Sequence, residues 1–243
     1  MRLALWVTDA WQRGTDPIAA ARRAAPDVDE VQGDLDRLTL WRELGEGALL
    51  VALPAPGDPR GLPALAPDVQ HAAIEAGEAV IAPSLGAVLI PELVEHGPDG
   101  IEGSTLTWQA HDATALPTHQ VAAHGLSDLE RQLRLRLLEA TTELEEIGGQ
   151  PFADSAAREL ADTTLGADWA LPAGLPPRAL KVIRLASTIS AMADLGARVP
   201  DGALTSSRSW ARSTALRRLH REAELTLAEA TNAAAASLAG WRG

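Results

Sequence analysis

Glu78-Ala79-Val80-Ile81-Ala82-Pro83-Ser84-Leu85-Gly86-Ala87-Val88-Leu89-Ile90 consists of two short apolar runs parted by Pro83-Ser84. Each run is too short for a buried helix and is bounded by turn formers. Residues 78–82 and 85–90 therefore read as two strands, or as one bent strand. Upstream, 48–53 is another apolar run, stopped by Pro54. Between these runs, 68–76 has helical spacing and ends at Gly77. Downstream, Leu106, Trp108 and Ala110 alternate with Thr105, Thr107 and Gln109, the period-two pattern of a half-buried strand. Short strands scattered among helices imply an α+β fold with a small mixed or antiparallel sheet, rather than a doubly wound one.

The flanks are helical. Leu3, Trp6, Val7, Ala10 and Trp11 form one face, with a strand over 3–7 as the competing reading. Thr15-Asp16-Pro17 starts a second helix. A third follows Asp34, with Leu35, Leu38, Trp41 or Arg42, and Leu44 along one side and Gly45 and Gly47 at its end. Beyond residue 125 the pattern is helical throughout. Ser127 and Glu130 have capping-box spacing, and Leu129, Leu133, Leu137, Ala140 and Leu144 recur every three or four residues. Leu135 and Leu138 make a second stripe, so this helix is expected to pack on two sides. A shorter helix is expected over 154–165. The helix over 178–195 carries Val182, Leu185, Ile189 and Met192 and should lie centrally. The last, capped by Ser206 or Ser207 and running to about Leu238, has Leu216, Leu219, Ala223, Leu227, Ala230 and Ala234 as its seam. The expected organisation is an acidic α+β part over 1–125 and a helical part, a bundle, over 126–243. No flexible linker divides them, so they should form one compact unit.

Charge and composition exclude several function classes. The 243 residues carry a net charge of −12. Residues 1–125 hold 18 Asp/Glu and 7 Arg, or −11, and the remainder holds 15 and 14, or −1. An acidic chain argues against nucleic-acid and anionic-membrane partners. Asp9, Arg13 and Asp16 interrupt the first apolar stretch, which argues against a cleavable signal and for a cytoplasmic protein. There is no Cys, and Lys181 is the only Lys, so thiolate chemistry is excluded and lysine chemistry has a single candidate. P-loop, dinucleotide-fingerprint, H-E-x-x-H and G-x-S-x-G patterns are all missing.

The candidate residues lie in a few places. The loop 54–63 places Pro54, Pro56, Pro59 and Pro63 after a buried strand and displays Asp58 and Arg60 on a stiff turn. A ligand site there would use Asp58 and Arg60 with Glu75 and Glu78, bordering the best-formed pocket. The structural alternative is an Asp58–Arg60 surface pair. His71 and Glu75 stand at i, i+4, as a surface pair does. His111, Asp112, His119 and His124 match no ligand spacing, and no metal or cofactor is expected. The acid-rich 27–36 fails as a calcium loop and reads as a solvated face with Asp34 as an N-cap. Ser84 lacks an evident base. Arg208, Arg212 and Arg217 occupy a run without acids. They are either paired with carboxylates of residues 1–125 or form an anion-binding face.

Three segments carry a resemblance: residues 49–63, Glu75-Ala76-Gly77-Glu78-Ala79-Val80, and Leu137-Leu138-Glu139-Ala140-Thr141-Thr142. In these the chain resembles a group of uncharacterised actinobacterial proteins, in outline over residues 1–240. The resemblance implies a cytosolic protein with the proline loop and the Glu75/Glu78 turn as landmarks, and it implies no catalytic residue. The function expected is non-catalytic binding of a small molecule or a protein partner. The alternatives are an enzyme acting on a small polar substrate at loop 54–63, and a structural or homo-oligomeric subunit.

Overall fold

The computed structural model describes all residues except 98–102, 118–124, 149–169, 199–205 and 242–243. Among the described residues the elements run α1 (Arg2–Arg13), α2 (Pro17–Arg23), β1 (Glu30–Gly33), α3 (Asp36–Glu43), β2 (Leu50–Ala52), α4 (Pro67–Ala76), β3 (Ala79–Ala82), β4 (Ala87–His96), β5 (Gly103–Asp112) and three long helices. These are α5 (Leu126–Ile147), α6 (Pro177–Arg198) and α7 (Ser206–Leu238). The fold is α+β, with helices and a five-stranded mixed sheet in the N-terminal part and α5 to α7 packed together in the C-terminal part.

Two compact units share the chain. The first comprises residues 1–123, 170–179 and 231–243, and the second comprises 124–169 and 180–230. The chain thus returns twice to the first unit. The Trp6 indole and the Arg13 guanidinium donate to the carbonyls of Ala170 (2.8 Å) and Ala173 (2.9 Å).

In the first unit the strand order is β1-β5-β4-β3-β2. Only β1 with β5 is parallel; the other pairs are antiparallel. Residues 78–90 form the β3–β4 hairpin, so the two-strand reading holds. Leu50, Ala52, Ile81, Val88 and Ile90 point to one face, where Ala73 and Val69 of α4 cover them. The alternate set, Val51, Val80 and Leu89, is also buried, and α1 lies against β3. Burial on both faces explains why these strands read as continuous apolar runs.

Strand β1 was not legible as a strand. Residues 27–36 read as a solvated acidic face, and β1 is indeed almost wholly exposed. The pairing is supplied by β5 and extended by two carboxylates. Asp29 accepts from the Ser104 N–H, and Asp34 accepts from the Ala110 N–H, both at 2.8 Å. Asp34 is therefore a ladder partner and not the expected N-cap; α3 has no side-chain cap.

The opposite sheet edge is closed by α7. The Asn232 side-chain amide accepts from Val51 N–H at 2.7 Å and donates to Val51 C=O at 3.0 Å, so one side chain copies a neighbouring strand. Closing an edge this way removes a template for intermolecular pairing. Asn232→Leu leaves both Val51 groups without that partner and should cost about 2–3 kcal/mol. A urea titration measures this; a loss below about 0.5 kcal/mol would show that water replaces the clasp.

In the second unit the seam of α7 is as expected: Leu216, Leu219, Ala223, Leu227 and Ala230 are all buried, and Ala234 continues it within the first unit. On α6, Val182, Ile183, Ala186 and Ile189 are buried, while Leu185 and Met192 are half-buried. Polar contacts fix the three helices. Glu130 of α5 accepts from Lys181 of α6 (2.9 Å), Glu143 pairs with Arg218 of α7, and Ser190 of α6 meets His220 of α7 (3.0 Å). Two expectations on α5 fail. Gly125, not Ser127, is the N-cap, and Glu130 is spent on Lys181 and Arg134 rather than on a capping box. The second stripe is open, with Leu135 and Leu138 being 51% and 64% exposed. The helix expected over 154–165 lies outside the described residues.

Candidate functional site

The four residues assigned to a ligand site are engaged separately. In the loop 54–63, Ala55 and Asp58 exchange backbone hydrogen bonds of 3.0 and 2.8 Å. This tight turn brings the Asp58 carboxylate onto Arg60, which donates its backbone N–H (3.2 Å), Nε (2.8 Å) and Nη2 (2.6 Å). A bidentate pair of this kind fixes the loop's own shape. Glu75 pairs with His71 at 3.3 Å, both side chains being largely exposed. Glu78 contacts the α-amino group of Met1, which burial pushes down to about 4.

Glu75 and Glu78 do line a concavity, an open groove of about 770 Å³. No residue of 54–63 lines it. The sheet forms its floor, with Ile90 and Leu93 of β4 and Leu106 and Trp108 of β5. The wall is α4, whose helix is set by Pro67 at its first turn and stopped at Gly77. That helix projects Asp68 and Glu75 into the groove, Glu78 follows it, and Glu92 lies across on β4, accepting from Gln109 at 3.0 Å. His111 is the remaining titratable group, and neither Lys nor Arg lines the groove. Four carboxylates around a concave, partly apolar surface concentrate negative potential within it. Period-two spacing on β5 placed Trp108 correctly, but nothing local in the sequence joined Glu92 to Glu75.

Several arginines of the run have contacts within the helical unit. Arg212 is buried and donates to Gly196 C=O at 2.7 Å, Arg217 reaches Thr214 at 3.4 Å, Arg218 pairs with Glu143, and Arg221 pairs with Glu224 at 3.3 Å. The sequence reading offered carboxylates of residues 1–125 as partners of Arg208, Arg212 and Arg217; the contacts of Arg212 with Gly196 and of Arg217 with Thr214 lie within the helical unit. Arg208 and Arg217 are exposed and Arg212 is not, so the three do not form one exposed face.

Ser84 donates its hydroxyl to Glu46 at 3.1 Å, a contact within the β3–β4 turn. Ser190, His220 and Glu224 lie in a chain, with Ser190 Oγ to His220 Nδ1 at 3.0 Å and His220 Nε2 to Glu224 at 3.4 Å. Ser190 is 8% exposed and lies inside α6, where backbone N–H groups are already used by the helix, so no oxyanion hole accompanies it. The same His220 nitrogen also lies 3.0 Å from the Ser190 carbonyl, which makes this chain an interhelical tie. His119 and His124 lie outside the described residues. Among the described residues no group of three or more His, Asp or Glu is placed to hold a metal ion.

Fold and groove together define a two-unit α+β protein with a carboxylate-rich concavity on the open part of its sheet. The profile of the Rv1486c-like protein N-terminal domain matches residues 1–123, and that of the C-terminal domain matches residues 127–224. The chain belongs to the Rv1486c-like family, which agrees with the actinobacterial resemblance. It is 30% identical to the uncharacterized protein Rv1486c of Mycobacterium tuberculosis strain ATCC 25618 / H37Rv, over 89% of this chain and 83% of that protein. The uncharacterized protein MT1533 of strain CDC 1551 / Oshkosh gives the same figures. No solved structure matches the chain. Among the described residues, no helix is long and apolar enough to cross a membrane.

Proposed function

We propose that this chain is a non-catalytic cytosolic binding protein whose sheet groove takes a small organic cation. The observation that carries the reading is the lining itself, in which Asp68, Glu75, Glu78 and Glu92 surround an apolar floor without Lys or Arg. A volume of about 770 Å³ suits a small molecule. Amine or guanidinium groups would meet the carboxylates while an alkyl stem covers Ile90 and Leu106. An enzyme site at loop 54–63 has less support, because Asp58 and Arg60 are already engaged with each other.

Calorimetric titration with spermidine tests the reading. At low salt it should bind saturably, and Glu75→Gln with Glu92→Gln should weaken it by roughly tenfold or more. Glu43→Gln with Glu146→Gln removes the same charge at two exposed positions outside the groove and should leave affinity unchanged. Equal weakening by both pairs would reduce the effect to overall charge and refute the groove.

A further inference from the structure

Helix α5 has two faces. Leu129, Leu133 and Ala140 are buried in the helical unit. On the other side Asp128, Arg131, Leu135, Leu138, Thr142 and Glu145 follow one another at alternating steps of three and four residues, and all six are exposed. That is the spacing of a seam along which two helices pack. The seam reads symmetrically about a point between Leu135 and Leu138, since residues 128 and 145, 131 and 142, and 135 and 138 are equidistant from it. An open concavity of about 360 Å³ begins at the two leucines and runs past Arg131 and Arg134 to Ser127.

Charge selects the occupant. Glu145 and Glu146 lie in the last turn of α5, which holds no basic residue. The helix dipole disfavours acids there, and among the described residues neither glutamate is in an ion pair. A copy of the same helix laid antiparallel meets both needs. It sets Leu135 against Leu138 of the second copy and brings Arg131 to Glu145 of the second copy. Arg131 already holds Asp128 at 2.8 Å, so its guanidinium comes to stand between that carboxylate and Glu145 across the seam. A parallel copy would also join the leucines, but it would set Arg131 on Arg131 and Glu145 on Glu145. We propose that α5 is a self-association face, on which a second copy of this chain packs antiparallel about the point between Leu135 and Leu138. The two-fold repeats every contact, so each leucine pair and each ion pair is made twice. The inference shares no residue with the sheet groove and does not rest on its ligand.

The test is sedimentation equilibrium of the full chain at low salt, over loading concentrations of about 2–200 µM. Four leucines make a small apolar centre, so the wild type should show a reversible monomer–dimer equilibrium within that range. Arg131→Glu gathers carboxylates at both ends of the seam and should weaken dimerisation roughly tenfold or more. Adding Glu145→Arg to that variant should restore at least the wild-type association, because the new pair has its charges exchanged. Along one helix the two positions are about 21 Å apart, too far to pair within a chain, so restoration reports a contact between antiparallel copies. Leu138→Asp should leave only monomer. All three positions are exposed, so the substitutions leave the buried face of α5 intact. A wild type that stays monomeric throughout, wild-type dimerisation by Arg131→Glu or by Leu138→Asp, or a double variant no stronger than Arg131→Glu would each overturn the proposal.

Discussion

Gly33→Ala is expected to cost at least about 4 kcal/mol, or to prevent folding of the sheet unit, although residue 33 lies in an exposed edge strand. The residue has φ +99, and a Cβ would stand 2.2 Å from the Trp108 carbonyl oxygen and 2.7 Å from the Trp108 nitrogen. Both are backbone atoms of β5, which pairs Gly33 with Trp108 in register, so no side chain can rotate out of the way. Relief requires β1 to leave β5. That would also disengage Asp29 from Ser104 and Asp34 from Ala110. Gly45→Ala is the control. Gly45 has φ +95 but nothing within 4 Å of its ideal Cβ, so it carries the conformational penalty alone, about 1–2 kcal/mol. Denaturant titration of the two variants separates steric exclusion from backbone preference. Equal losses would mean that β1 tolerates displacement.

The contrast between Gly33 and the surrounding acids shows where the sequence is informative. Elements whose burial is set by their own periodicity were readable. The α7 seam, the Asp16-Pro17 start of α2 (where Asp16 accepts from Ile18 N–H at 2.9 Å) and the hairpin over 78–90 all appear where the residues place them. Strand β1 has no apolar alternation, because it is held by backbone pairing and by two side-chain carboxylates, and neither leaves a local pattern. The failed capping box on α5 has the same origin. Ser127 and Glu130 have the right spacing, but Glu130 gains more from two cations than from one backbone N–H.

The candidate surfaces were legible in part for a similar reason. Glu75 and Glu78 were singled out as landmarks of the family resemblance and as neighbours of loop 54–63, and they do line the groove. Their partners across the groove, Glu92 and His111, come from strands whose neighbours are set by sheet order. Loop 54–63 drew attention by its prolines, and its polar pair proved to be the loop's own brace. Arg212 was singled out through its charge, and only the crossing of α6 and α7 shows that it is the buried member of its run.

Glu46 gave no signal in the sequence, and its replacement is the other large expected effect. It follows Gly45, precedes the apolar run into β2, and is 0% exposed. Its Oε2 accepts from the Ser84 N–H at 2.9 Å and the Leu85 N–H at 3.3 Å. Its Oε1 accepts from the Gly47 N–H and the Ser84 hydroxyl, both at 3.1 Å. One side chain thus occupies the turn of the β3–β4 hairpin, the stretch on which the fold reading rests, and satisfies donors that a Pro83-Ser84 turn cannot satisfy internally. Glu46→Ala removes all four acceptor contacts and opens a buried polar void, with an expected loss of about 3–5 kcal/mol. Glu46→Gln keeps the shape but turns one oxygen into a donor facing donors, and should lose about 1.5–3 kcal/mol. Ser84→Ala removes only the hydroxyl contact and should cost about 1 kcal/mol. The double variant Glu46→Gln, Ser84→Ala should fall short of the sum, because the two groups touch; a coupling of about 0.5 kcal/mol or more in chemical denaturation is the expected reading. Strict additivity would show that Glu46 is held by the backbone donors alone, and a Glu46→Ala loss below about 1 kcal/mol would show that water replaces the carboxylate in the turn.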